Sequence, residues 1–401
     1  MAKSLKFGLA FAGGGPLGAI YEIGALTALS EALEGLNFNE ADIYVGVSAG
    51  GFIAAGLANG ITPHAMCRLF IESEEALTAA HDPPFNPILL LQPALEEYWQ
   101  RLRRLPDMTR QALWRYLTQR STLGSSFEPL SQLIPTGLFS NERIDEYLTG
   151  LFSRQGRTND FRRLRHKLVL IATDLDAGAA VEFGAAGLAH IPISRAVQAS
   201  AALPGLFPPV EIEGRYFVDG ALKKTLHASV ALREGVNLLI ALNPLVPYES
   251  HPGQETPEGH KHPTSLVEGG LPAVMAQTFR SIVHSRMEIG MARYEKLYPK
   301  ADIVLIEPNR TDTDMFFTNM FSYSSRRYLC EHAYQKTRDE LRQRANTLAP
   351  LLARHGVKLN RKVLDDTSLR LVRQLTPIDR RLTSLGRATS QLERGLDDLD
   401  R

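Results

Sequence analysis

A serine framed by glycines, Gly46-Val47-Ser48-Ala49-Gly50, follows the apolar run Ile43-Tyr44-Val45 and leads into a stretch of small residues. At such a strand-to-helix turn bulky flanks would clash, and the helix beyond aims its positive end at the hydroxyl. Ser48 is therefore the candidate nucleophile, with Gly46 and Gly50 shaping its turn. A second turn, Gly13-Gly14-Gly15-Pro16-Leu17-Gly18, follows the strand-like Lys6–Ala12 and opens a helix. Successive backbone N–H groups in such a turn bind an anion, which in acyl transfer is the oxyanion of the intermediate. Gly13, Gly14 and Gly15 are the candidate oxyanion hole, and Gly18 supports the turn. A third short strand, Arg215-Tyr216-Phe217-Val218, ends in Asp219-Gly220-Ala221 and offers Asp219 as a base, with Gly220 and Ala221 completing the turn. Nucleophile, oxyanion donors and base are all present.

In this order the three motifs resemble those of the patatin-like phospholipase family, G-x-G-x-x-G, G-x-S-x-G and D-G-A/G. The segment from Ala196 to Val210 and the run Thr173-Asp174-Leu175-Asp176 also resemble stretches of that family. The resemblance is strong over roughly residues 5 to 245. It implies a three-layer α/β/α sandwich around a mostly parallel sheet, and a Ser48/Asp219 catalytic dyad without histidine. An unperturbed aspartate, with a pKa of about 3.9, is a poor base for an alcohol, so the dyad requires burial to raise it. Two departures concern substrate preference rather than reaction class: Leu17 stands where many members carry Arg or Lys, and Thr225 and His227 stand where Asn and Pro are frequent.

Other readings of the same residues are weaker. The glycine turn could serve as a dinucleotide phosphate loop with Asp42 on the ribose, but such a site has no use for a serine turn at the next strand. Asp219-Gly220 alone reads as an ordinary turn. His227 reads as a loop or helix-start histidine, and His251, His260 and His262 lack metal-ligand spacing, so no metal and no cofactor are expected.

Composition sets the frame. A chain of 401 residues that is 44% hydrophobic can bury a large core. A net charge of +1 argues against capture by nucleic acid. Its two cysteines, Cys67 and Cys330, make no disulfide framework and suit a reducing compartment. The N-terminal residues show no signal-peptide core, and no stretch approaches the about 18 apolar residues of a membrane span. A cytoplasmic protein that visits the inner face of the membrane is expected.

The elements that must position the motifs alternate. Strands are expected at Lys6–Ala12, around Tyr44, at His166–Ala172, at Asn237–Leu242 and at Ala301–Glu307, with helices over Ala19–Leu33, Gly50–Ala58 and Ser265–Leu297. Strands separated by helices imply a largely parallel sheet whose strand ends converge at one edge. Residues 81–140 interrupt this rhythm as a helical insertion holding Trp99, Trp114 and several arginines, suited to capping an acyl pocket and touching a membrane. Residues 1–310 are expected to form the hydrolase domain and residues 311–401 a helical extension, with a long charged helix over Ser324–Arg354. Its last segment, Val363 to Arg401, is a candidate for packing on the core, homodimerisation or lipid contact. The expected activity is hydrolysis of lipid carboxylic esters, of the phospholipase A or lysophospholipase type. The rivals are an acyl-CoA thioesterase or acyltransferase on the same dyad, and a non-catalytic lipid-binding scaffold.

Overall fold

Strand β1 (Phe7–Phe11) is buried at every position, as a strand covered on both faces must be. Its side chains divide between two cores: Leu9 and Phe11 face one, Ala10 and the following Ala12 the other. The computed structural model describes residues 5–71, 92–93, 135–249, 266–317 and 323–371. Helix α1 (Gly15–Ala32) begins four residues earlier than the periodicity suggests, because Pro16 is tolerated in a first turn and Gly14 closes the turn before it. After a two-residue strand β2 (Leu33–Glu34) come β3 (Ile43–Val47), α2 (Ala49–Ala58) and α3 (Pro63–Ile71), the last started by the Thr62 hydroxyl accepting the Ala65 N–H at 3.2 Å. Then follow α4 (Glu142–Phe152), β4 (Lys167–Asp174), β5 (Ala179–Phe183), α5 (Ile193–Ser200), β6 (Val210–Ile212), β7 (Arg215–Asp219), α6 (Ser229–Arg233) and β8 (Leu238–Leu242). The chain continues through α7 (Gly270–Leu297), β9 (Asp302–Ile306), α8 (Thr313–Phe317), α9 (Tyr323–Gln343), α10 (Ala345–Ala353), β10 (Lys358–Leu359) and α11 (Arg361–Asp365).

The main sheet runs β6-β7-β4-β3-β1-β8-β9, with β5 also on β4. From β4 to β9 neighbouring strands are parallel, and β5, β6 and β7 add antiparallel pairings at one side. Helices α1, α2 and α5 pack on one face, α6 and α7 on the other, which is the three-layer sandwich with a mostly parallel sheet.

Register along β4 decides the site. Leu170 and Ile171 pair with β3 and with β5, whereas Ala172 to Asp174 pair with β7 and with β5. A strand has only two edges, so β3 and β7 occupy the same edge in succession, running toward each other. Val47 stands opposite Ile171 and Asp219 opposite Ala172, the next residue.

The charged segment expected as one helix over Ser324–Arg354 is two, α9 and α10, broken at Arg344. The Arg344 guanidinium donates to the Leu305 carbonyl at 2.9 Å, and the change of direction buries Leu348 and Leu352. Helix α9 lies along α1 at the position of Gly24, where a Cβ would come within 2.4 Å of the Cys330 carbonyl oxygen. Most of the 81–140 insertion, with Trp99 and Trp114, lies outside the described residues, as do His251, His260, His262 and everything beyond residue 371.

Candidate active site

Ser48 sits between the end of β3 and the start of α2 with φ 53° and ψ −125°, a conformation that side chains seldom adopt and that marks a tightly held turn. Its neighbours show what holds it. A Cβ on Gly46 would lie 2.5 Å from the Gly51 Cα, and one on Gly50 2.4 Å from the Ala12 carbonyl oxygen, so both positions admit only glycine. Gly50 N–H donates to that same oxygen at 3.1 Å, binding the serine turn to the end of β1. The Ser48 N–H donates to the Ser200 hydroxyl at 2.8 Å, and that hydroxyl in turn donates to the Ile171 carbonyl. Ser200, the last residue of α5, thus links the turn to β4. The sequence pointed to its segment without showing this role; its only signal was a small polar residue in an otherwise apolar Ala-Ser-Ala-Ala run.

Asp219 ends β7 with its backbone fixed on two sides. Its N–H donates to the Ala202 carbonyl at 2.9 Å, and its carbonyl accepts the Thr173 hydroxyl at 3.1 Å. Its side chain accepts the Ala221 N–H at 2.8 Å, and the nearby Ser48 hydroxyl favours its ionised form. Ser48 is 7% exposed and Asp219 3%. Burial pushes the Asp219 carboxyl up to about 6 against the opposing pull of the Ser48 hydroxyl and the Ala221 N–H. Desolvation therefore outweighs both donors. Gly220 is required by the same packing, since a Cβ there would be 2.3 Å from the Ile171 carbonyl oxygen.

The glycine turn adjoins this pair. A Cβ on Gly13 would come within 3.0 Å of the Ser48 Cβ and 3.5 Å of the Ala221 Cβ, so the three motifs converge at one place. Gly14 and Gly18 are both pressed by the Pro244 ring, with Cβ clearances of 2.7 and 2.9 Å, whereas Gly15 faces open space at φ +60°. Helices α1 and α2 both begin here, neither with a side-chain cap nor an acidic residue in its first turn. First-turn amides and two positive helix ends therefore face the Ser48 region, an arrangement that favours developing negative charge.

His227 is brought near Asp219 in sequence but not into hydrogen-bonding contact with Ser48. Its ring faces the Gly220 carbonyl at 3.4 Å, and burial holds its pKa down at about 4, so the ring is neutral at pH 7. Among the described residues one group has metal-ligand spacing, Asp312 just before α8, Asp314 on α8 and His332 on α9; its His332 is paired with Asp312 at 2.6 Å.

Among solved structures, VipD from Legionella pneumophila aligns with a TM-score of 0.37 and 17% identity, covering 85% of this chain and 67% of that one. The type III effector ExoU, of Pseudomonas aeruginosa, aligns with a TM-score of 0.33 and 16% identity over 85% of this chain and 53% of ExoU. The chain thus spans about half the length of ExoU. The family model for patatin-like phospholipase matches residues 9–232, a span that includes all three motifs and more than half of the 401 residues. The chain belongs to the patatin-like phospholipase family.

Proposed function

We propose that the protein hydrolyses carboxylic esters of lipids through an acyl-enzyme, with Ser48 as nucleophile and Asp219 as general base. The observation that carries this reading is that Ser48 and the buried Asp219 carboxyl end two opposed strands on one edge of β4, with the serine hydroxyl near enough to favour the ionised carboxylate. Ser48 Oγ attacks the ester carbonyl carbon while its proton passes to Asp219. Negative charge moves to the carbonyl oxygen, where N–H groups of the Gly13–Gly15 turn receive it. Collapse of the tetrahedral intermediate breaks the bond to the leaving oxygen, which takes the proton back from Asp219. Water then enters: Asp219 accepts its proton, its oxygen attacks the acyl carbon, and the carboxylic acid leaves as Ser48 recovers its hydrogen.

Two features support aspartate in this role. A pKa of about 6 lies closer to working pH than an ordinary carboxylate and makes Asp219 a stronger base, yet leaves it ionised at neutrality. The helix ends at Ser48 and at Gly14 lower the cost of alkoxide and oxyanion. In this reading residues 1–310 carry the chemistry and the helices beyond support it, with α9 packed along α1. The substrate in this reading is a phospholipid or lysophospholipid, which membership of the family supports.

Labelling with a fluorophosphonate and hydrolysis of a p-nitrophenyl ester test the proposal together. Modification of Ser48, lost in Ser48→Ala along with ester hydrolysis, is the expected result. An unmodified Ser48 in active protein would overturn it.

A further inference from the structure

Helix α7 is apolar on two faces, about 120° apart around its axis. Its inner face sends Val283 and Met287, with Phe279, Met291 and Tyr294 partly buried beside them, into the core beneath the sheet. Its outer face presents Leu271, Met275, Ile282 and Ile289 at 73%, 60%, 55% and 70% exposure. At 3.6 residues per turn these four fall within about 40° of one another, forming one stripe along a helix about 42 Å long. A stripe of exposed large apolar side chains marks a contact surface rather than scattered surface residues.

The charges that α7 itself sets beside the stripe have one sign. On the helix itself, the residues within about 60° of its line that carry charge are Arg286, Arg293 and Lys296. Glu288 and Glu295 point about 100° or more away, and Glu288 is already paired with Arg310 at 2.9 Å. An apolar stripe whose own helix borders it only with cations complements the surface of an anionic bilayer, where apolar side chains enter the interface and basic stems reach headgroups. Pairing with a second copy through this face would set basic flanks against each other with no acidic partner.

Its place in the fold also suits a lipid surface. Because α7 connects the parallel strands β8 and β9, it runs against them, and its first half lies at the edge where β1 and β3 end. Gln277 is bonded both ways to the Tyr248 backbone, at 3.1 and 2.7 Å, just beyond the Pro244 ring that abuts Gly14. Thr225 donates to the Val283 carbonyl at 3.2 Å and Arg286 to that of Leu222 at 3.3 Å, which ties the helix to the chain leaving Asp219.

We propose that the outward stripe of α7 is the surface by which the protein docks on anionic phospholipid membranes, holding the Ser48 edge at the lipid interface. This rests on the lipid-ester reading above and adds the surface that brings enzyme and bilayer together.

The test uses the full chain as Ser48→Ala, which binds without turnover, and sedimentation with two kinds of vesicle: phosphatidylcholine alone, and equal parts phosphatidylcholine and phosphatidylglycerol. Stronger binding to the phosphatidylglycerol vesicles is expected, reduced at least tenfold by Ile282→Glu with Ile289→Glu. Arg293→Gln with Lys296→Gln should weaken binding and flatten its dependence on salt, without touching the apolar stripe. The same changes in otherwise wild-type protein should leave hydrolysis of a soluble p-nitrophenyl ester unchanged. That assay separates the two ideas: loss of vesicle binding with full soluble activity supports docking, whereas an inactive wild type that still binds through α7 removes the chemistry and leaves the docking surface. Vesicle binding unaffected by both pairs of substitutions would overturn the proposal. So would a dimer in solution that the Glu pair converts to monomer while vesicle binding persists, since the stripe would then be a self-association face.

Discussion

Ser48 and Asp219 end two strands that approach each other along a single edge of β4, with Val47 opposite Ile171 and Asp219 opposite Ala172. The hydroxyl and carboxylate therefore meet by strand register, before any side-chain choice is made. Each member is useless without the other in the proposed chemistry. Ser48→Ala and Asp219→Asn should each abolish ester hydrolysis, and the double variant should be scarcely worse than either alone, as groups acting as a unit are not additive. Steady-state kinetics on all three variants, with circular dichroism to verify folding, checks this. A double variant slower by the product of the single losses would show two independent contributions.

The pH dependence should separate activity from stability. Asp219, at about 6, should give the acid limb of kcat/KM, with activity falling as pH drops below about 6. Its raised pKa means that the native state binds its proton more tightly than the unfolded chain does. The stability linked to that proton is present below about pH 4 and is lost as pH rises to about 6. His227, held down at about 4, acts in the opposite sense: its contribution is present above about pH 6.5 and is lost as pH falls toward 4. The two offset across the same window. Asp219→Asn should consequently gain up to about 3 kcal/mol at pH 7, and its stability should fall more steeply on acidification than that of wild type. Urea melts at several pH values decide it; a variant less stable than wild type at pH 7 would contradict the burial argument.

Ser200 should matter to the serine turn more than its size suggests. Ser200→Ala leaves the buried Ser48 N–H without its acceptor at a residue already held at positive φ, which should cost about 1–3 kcal/mol of stability. Turnover of a soluble ester should drop with it, because the nucleophile loses a support. Denaturant melts and kinetics on the same preparation measure both losses.

The glycines of the motifs should not be equivalent. Gly50→Ala sets a Cβ against backbone at 2.4 Å and should prevent folding, whereas Gly15→Ala meets nothing within 4 Å and pays only the positive-φ penalty, about 1–2 kcal/mol. Gly14→Ala falls between them: its Cβ meets the Pro244 ring at 2.7 Å and the Gly18 Cα at 2.8 Å, so it should fold but lose turnover as the donors shift. Soluble yield and kcat across the three variants give the order.

Cys67 on α3 and Cys330 on α9 are free and fully buried, and the Cys67 thiol lies 3.3 Å from the Thr27 hydroxyl. Both should be inert to a water-soluble thiol reagent in the native protein and react together on unfolding. A thiol count in buffer and in guanidinium tests this. Rapid reaction of either cysteine in buffer would mean that α9 leaves α1 readily.

The three motifs were legible locally because each is a short-range demand: Gly46 and Gly50 are needed by the turn around Ser48, and the apolar runs at Phe7–Phe11 and Leu238–Leu242 by burial on both faces. Alternation of strand and helix likewise implied the layered sandwich. What tertiary structure alone decided is how distant pieces meet. Residues 215–219 read as a strand in any orientation, since the two-residue period is the same in parallel and antiparallel pairing, and only the register on β4 turns Asp219 toward Ser48. Ser200 acquires its function from partners 152 and 29 residues away, which no local pattern encodes. The break at Arg344 arises in the same way, from a guanidinium reaching the Leu305 carbonyl and leucines finding a core, where helix propensity alone favoured continuing. The outward stripe of α7 completes the contrast: its apolar residues are plain in the sequence, but which of its two apolar faces the core would take depended on the packing of Val283 and Met287 against the sheet.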